Sequence, residues 1–187
     1  SSSPPDWEEF HRRILAHQKS IQEVQGFGAA LQERRIIVTY VLLFSIFLWF
    51  GLEQLSGGTW TPALVRMGAL IPELVQRGDA WRLISYSWLH LDLMHIGFNS
   101  LVLYRLGTSL ERIFGSSRFL LLYILSALGG GLLILLTQKG GITVGASGAI
   151  WGMLAAEAAL VLRNPGILPQ SVVQQARGKI IQNLLLN

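Results

Sequence analysis

The stretch FLLLYILSALGGGLLILLTQ, residues 119–138, holds no charged side chain, and it is bounded by Arg118 and Lys139. At 1.5 Å of rise per residue it is long enough to cross ~30 Å of hydrocarbon. It is apolar on every face, whereas a surface helix of a soluble domain is apolar along one stripe. The whole chain shares this character: of its 187 residues 51% are hydrophobic and 14% charged, and the mean hydropathy is +0.44. Because the apolar surplus is gathered into runs of spanning length, the expected fold class is an all-α polytopic membrane protein. It predicts a helix bundle with four complete spans and the start of a fifth, at about residues 36–55, 92–113, 117–138, 143–163 and 178–187.

Working outward from that run, Ile36 to Leu52 is uncharged, with Arg34 and Arg35 at its start and Trp49 and Trp60 placed to anchor the far interface. Between Ser56 and Leu89 the chain breaks at Gly57, Gly58, Pro62, Pro72 and Gly78, and it carries Trp60, Trp81 and Trp88. This predicts a long structured loop at the membrane surface. The next run is interrupted by Arg105, which can snorkel toward headgroups, and closes at Glu111, Arg112 and Gly115. Gly140 to Leu162 contains Glu157 as its one charge, with Pro165 and Pro169 as stop signals, and a last run begins near Ile180. Residues 1–35 mix both signs of charge and read as a cytoplasmic amphipathic helix, capped by Asp6, ahead of a membrane domain over 36–187. No secretory signal fits, because a polar helix precedes the first apolar run.

Of the 15 Lys and Arg residues, only Arg66, Arg77, Arg82 and Lys139 fall on the side away from the amino terminus. The positive-inside rule therefore puts the amino terminus in the cytoplasm. The net charge of +4 is explained by this topology, since the basic residues flank apolar runs and form no stripe for nucleic acid. With no cysteine, disulfides and thiolate chemistry are excluded. There is no HExxH or similar ligand spacing, so no metal and no other cofactor is expected.

Polar groups suited to chemistry gather at the outward ends of the second and fourth spans. His95 and Asn99 are four apart and share a helix face, while His90 is off that face and belongs in the loop just above. Neutral imidazole and carboxamide are donors that cost less to bury than charges, yet each needs a partner in a low-dielectric setting. Polar residues also serve as glue between membrane helices, and that alternative holds for His95 and Asn99 taken singly. The fourth span opens Val144-Gly145-Ala146-Ser147-Gly148-Ala149-Ile150-Trp151-Gly152. Glycines on both sides leave the Ser147 hydroxyl uncovered and its N–H approachable, at the positive end of a helix dipole. Gly148 and Gly152 equally make a small-xxx-small pair for close helix packing, and the two roles are compatible.

Four motifs in order, Trp81-Arg82-Leu83-Ile84, His90-Leu91-Asp92-Leu93-Met94-His95-Ile96-Gly97-Phe98-Asn99, Leu106-Gly107 through Leu110-Glu111 to Gly115, and Gly145-Ala146-Ser147-Gly148, resemble the rhomboid intramembrane proteases. The resemblance runs from about Trp81 to Leu162. It implies a bundle of six core helices that cleaves transmembrane segments of other membrane proteins by acyl transfer from serine. It implies Ser147 as nucleophile, His95, Asn99 and the Ser147 N–H as the oxyanion hole, and His90 as support. Gly145 and Gly148 would shape the turn around the nucleophile, Trp81 and Arg82 would belong to the lipid-embedded outer loop, and Glu111 and Gly115 to the cytoplasmic end. The implied partners are membrane-protein substrates and the bilayer, for a monomer in a bacterial plasma membrane.

The sequence departs from that pattern in one respect: the family's general base is a histidine on a later helix, and no histidine follows His95. Two expectations compete, a chain cut before that helix and a catalytically inactive rhomboid-like assembly subunit, and the first is favoured because Asn187 ends in mid-run. A small transporter would require inverted repeats, which the sequence does not display. Glu157 lies ten residues past Ser147, about 15 Å along a helix, too far to act as the base directly.

Overall fold

The computed structural model describes residues 7–57, 61–164 and 166–185, and among them all regular structure is helical. Expectations for Asp6, Gly58, Trp60, Pro165 and Asn187 fall outside the described residues. The chain divides into a larger unit, Arg35–Glu157, and a smaller one made of Ser1–Arg34 with Ala158–Asn187.

In the larger unit, α2 (Val38–Leu55) and α7 (Ser116–Thr137) are long and apolar enough to cross a membrane by length and composition. Around them stand α6 (Leu93–Phe114) and the first turns of α8 (Ser147–Arg163), with α2 packed on α6 and α6 on α7. Ile96, Asn99, Leu103, Leu106 and Leu110 recur at intervals of three and four, and they make the buried seam of α6. That seam meets Leu42 and Ile46 of α2, Phe119, Tyr123 and Ala127 of α7, and Ala149, Ile150 and Met153 of α8.

The opposite faces are just as apolar. Phe44, Phe47 and Leu48 on α2, Met94 and Phe98 on α6, and Leu121, Leu125, Leu133 and Leu136 on α7 are all exposed. A soluble fold would not leave such continuous apolar surface in water, whereas lipid makes it the expected outer face.

Two close approaches hold the bundle. A Cβ on Gly152 would come within 2.5 Å of Ser126 Cβ, so the small-residue pair at Gly148 and Gly152 does serve the crossing of α8 on α7. At the other end the Glu111 carboxylate accepts from the backbone N–H groups of Ile37, Val38 and Thr39 at 2.8–2.9 Å and from the hydroxyls of Thr39 and Ser116. An acid at the end of α6 thus caps the start of α2, satisfying donors that no helical bond reaches.

Residues 61–88 form the structured loop as α3 (Thr61–Met67), α4 (Pro72–Gln76), α5 (Arg82–Ser85) and a 3-10 turn, Tyr86–Trp88. Arg82 is buried at its centre: Nε donates to Asp79 at 2.9 Å, and Nη1 donates to the carbonyls of Val65 and Ala69. Trp81 stays exposed with the Arg82 guanidinium 4.6 Å from its ring centre.

Two helix starts differ from the sequence expectation. α8 begins at Ser147 and not near residue 140 or 143, because residues 140–146 are held out of the helix: Thr143 and Leu70 exchange both backbone hydrogen bonds, and Gly145 holds φ +118. The helix containing Ile180 begins at Gln170, as α9 (Gln170–Leu185).

In the smaller unit α1 (Trp7–Gln32) packs on α9, with Ser171 Oγ donating to Glu23 at 3.1 Å. Arg177 donates to the carbonyls of Val161 and Leu162, closing the carboxyl end of α8.

Candidate active site

The non-helical segment ahead of α8 is tied down from three directions. Gly145 N–H donates to the Tyr86 carbonyl at 2.9 Å, Ala146 N–H donates to His90 Nε2 at 3.5 Å, and Thr143 pairs with Leu70. The chain then turns into α8, leaving Ser147 exposed at its first residue. The helix dipole and the N–H groups of this first turn face the space around that hydroxyl.

Facing the segment from α6 are His95 and Asn99. A Cβ added to Gly145 would stand 2.6 Å from His95 Nε2, 2.8 Å from His95 Cε1 and 3.5 Å from Asn99 Nδ2. Both side chains therefore press on the backbone two residues before Ser147, in space that any larger residue would occupy. The positive φ at Gly145 adds a second reason for glycine there.

The hydrogen-bond partners assign the protons on both imidazoles. Leu91 N–H donates to His95 Nδ1 at 3.4 Å, so the ring proton of His95 sits on Nε2, the atom nearest Gly145. His90 is the mirror case: Nδ1 donates to the Trp88 carbonyl at 3.2 Å and Nε2 accepts from Ala146. His90 is fully buried, its ring centre 5.1 Å from that of His95. Burial, reinforced by His95, pushes its pKa down from 6.5 to about 4 against the opposing pull of the Trp88 carbonyl, so the ring is neutral near pH 7.

The remaining candidates are spread around this centre. Gly148 and Gly130 make room for the Tyr86 hydroxyl, which donates to the Ala127 carbonyl at 2.9 Å. Trp81 and Arg82 lie in the loop, where Arg82 is an organiser of α3 and α5. Glu111 and Gly115 sit at the far end of α6, in the cap of α2 and the turn to α7. Glu157 and Arg105 line one cleft between α8 and α6, and no Glu157 ion pair occurs among the described residues.

Three further residues contribute to the site. Asp92 caps α6 by accepting from His95 N–H at 2.7 Å, and an Asp three residues before the first polar helix position is a signal that could have found it. Tyr86 and Glu53 could not be found that way, because their partners lie far off in sequence.

A family model described as the Rhomboid domain matches residues 77–186. Among relatives, Rhomboid protease GluP of Bacillus subtilis (strain 168) is 36% identical over 138 residues, covering 73% of this chain and 27% of its own length. RHOMBOID-like protein 5 of Arabidopsis thaliana is 41% identical over 114 residues, covering 60% and 37%. Putative rhomboid protease YdcA of Bacillus subtilis (strain 168) is 33% identical over 155 residues, covering 80% and 72%. The chain thus spans well under half the length of the first two relatives.

Proposed function

This chain belongs to the rhomboid family, whose members are integral membrane proteins, and we propose that it contributes the nucleophile and oxyanion site of an intramembrane serine endopeptidase. The observation that carries this reading is the placement of His95 Nε2 and Asn99 Nδ2 against Gly145, two residues ahead of an exposed Ser147 that opens a helix. Ser147 Oγ attacks a peptide carbonyl of a membrane-protein substrate. The carbonyl oxygen, as it becomes an anion, accepts from His95 Nε2–H, Asn99 Nδ2–H and the Ser147 backbone N–H. The acyl group passes to Ser147 and then to water, with the amine leaving after proton transfer. Among the described residues no carboxylate bonds the His95 ring to orient it as a base, since Asp92 takes the backbone N–H, and its Nδ1 is already an acceptor for Leu91. Its part is donation, and the family pattern assigns the base to a histidine on a later helix.

In the same proposal α2, α6, α7 and α8 cross the bilayer of a bacterial plasma membrane, a fifth span follows, and residues 1–35 lie in the cytoplasm. The site then opens below the outer surface, where a substrate helix that unwinds easily presents its backbone. The protein acts as a monomer and without a cofactor.

The second reading is an inactive rhomboid-like subunit that binds membrane partners. The two separate on incubating the full-length protein, in detergent micelles, with a fluorophosphonate probe. Labelling that disappears in Ser147→Ala supports the protease. Labelling that persists in that variant, or an unlabelled wild type, removes it.

A further inference from the structure

The last turn of α2 points its leucines outward and its acid inward: Leu52 and Leu55 are exposed, whereas Glu53 is 0% exposed. Burying a carboxyl strips it of water, and hydrogen bonds to both oxygens would offset that loss. Glu53 has one such bond: Oε2 accepts from the His90 backbone N–H at 3.3 Å, while Oε1 has no partner among the described residues. A methionine would fill a similar volume without the desolvation. What the carboxyl supplies beyond volume is direction, and its single bond falls on the point from which both arms of the site diverge.

The first arm is the His90 ring, fixed between the Trp88 carbonyl and the N–H of Ala146, the residue before Ser147. The second begins one residue later, where Leu91 N–H donates to His95 Nδ1 and so keeps the proton on the nitrogen that faces Gly145. A shift of the His90 backbone would move both arms together. Direct contact of Glu53 with the nucleophile is absent from its hydrogen bonds, so any effect it has on chemistry passes through His90.

We propose that Glu53 is a positioning residue for the oxyanion site, holding the His90 backbone so that Ala146 and His95 present their groups in register. This rests on the protease reading for its effect on rate, though not for its effect on the imidazoles. The test compares wild type, Glu53→Met and Glu53→Gln in the full-length protein in detergent micelles. Three readouts are taken: fluorophosphonate labelling rate, thermal unfolding, and the nitrogen-15 spectrum of histidine-labelled protein, which reports each ring's tautomer.

Glu53→Met is expected to label at least about tenfold more slowly, as changes behind a reactive group do. Its unfolding temperature is expected to be unchanged or higher, and the His95 signals to shift from the Nε2–H tautomer toward a mixture. Glu53→Gln keeps an acceptor for His90 N–H and is expected to restore both rate and spectrum. A Met variant with wild-type rate and spectrum overturns the proposal, and so does loss of rate and unfolding temperature in parallel in both variants. If wild type itself is not labelled, the protease reading fails alone, and the imidazole spectrum decides the role of Glu53.

Discussion

His95 Nε2 stands 2.6 Å from the point where a side chain on Gly145 would begin. The imidazole thus occupies the volume that glycine leaves open, at a residue whose φ of +118 disfavours any Cβ. Gly145→Ala should therefore lose stability by about 1–3 kcal/mol from backbone strain, with more from displacing the ring. Probe labelling of the surviving folded protein should fall with it. A calorimetric scan alongside the labelling assay checks both, and an alanine variant of wild-type rate would separate this contact from catalysis.

If His95 and Asn99 act as oxyanion donors, their removal should slow acylation without unfolding the helix that carries them. Asn99→Ala and His95→Ala are each expected to lower kcat by about 10²–10³, the usual loss for one donor. KM for a transmembrane substrate should change little, since the carbonyl gains charge only in the transition state. Steady-state cleavage in liposomes reads the two constants apart, and a pure KM effect would assign these residues to substrate binding.

The spans and the site differ in what the sequence discloses about them. α2 and α7 are built on long apolar runs, so their ends fall within three residues of the charges and breaks that bound them. His95 and Asn99 are adjacent on a helix by spacing alone, and that periodicity pointed to one face. The start of α8 was hidden, because whether Gly140 to Ala146 continues a helix depends on Leu70, a partner 73 positions away in the other direction of the chain. Glu53 follows the first apolar run and Glu111 closes the second. What they bind, His90 and the start of α2, is set by tertiary packing that no local pattern encodes.

Glu111 predicts a stability effect remote from the chemistry. Its carboxylate serves three backbone donors and two hydroxyls at the junction of α2, α6 and α7, and Glu111→Ala leaves those donors without it. A loss of about 2–4 kcal/mol is expected, above the range of a single helix cap because several buried groups are orphaned together. Glu111→Gln should recover part of it. Unfolding in mixed micelles measures the difference.

His90 predicts a pH dependence. Its pKa falls from 6.5 to about 4 on folding, so below pH 6.5 the unfolded chain takes up a proton that the folded chain refuses. The contribution is complete above about pH 6.5, declines as pH falls toward about 4, and is level below that. It amounts to at most about 3 kcal/mol. His90→Gln cannot titrate, so the difference in unfolding free energy between wild type and this variant should carry that slope, and a pH-independent difference would contradict the burial of His90 as a neutral ring.

In the proposed mechanism the Ser147 hydroxyl opens into one pocket with the donors of α6. The structure of the full-length protein after reaction with a fluorophosphonate measures this most directly. The expected result is a phosphonyl group on Ser147 Oγ whose oxygen lies within hydrogen-bond distance, about 2.7–3.1 Å, of both His95 Nε2 and Asn99 Nδ2. An adduct turned toward lipid, or one whose oxygen reaches neither donor, would contradict it.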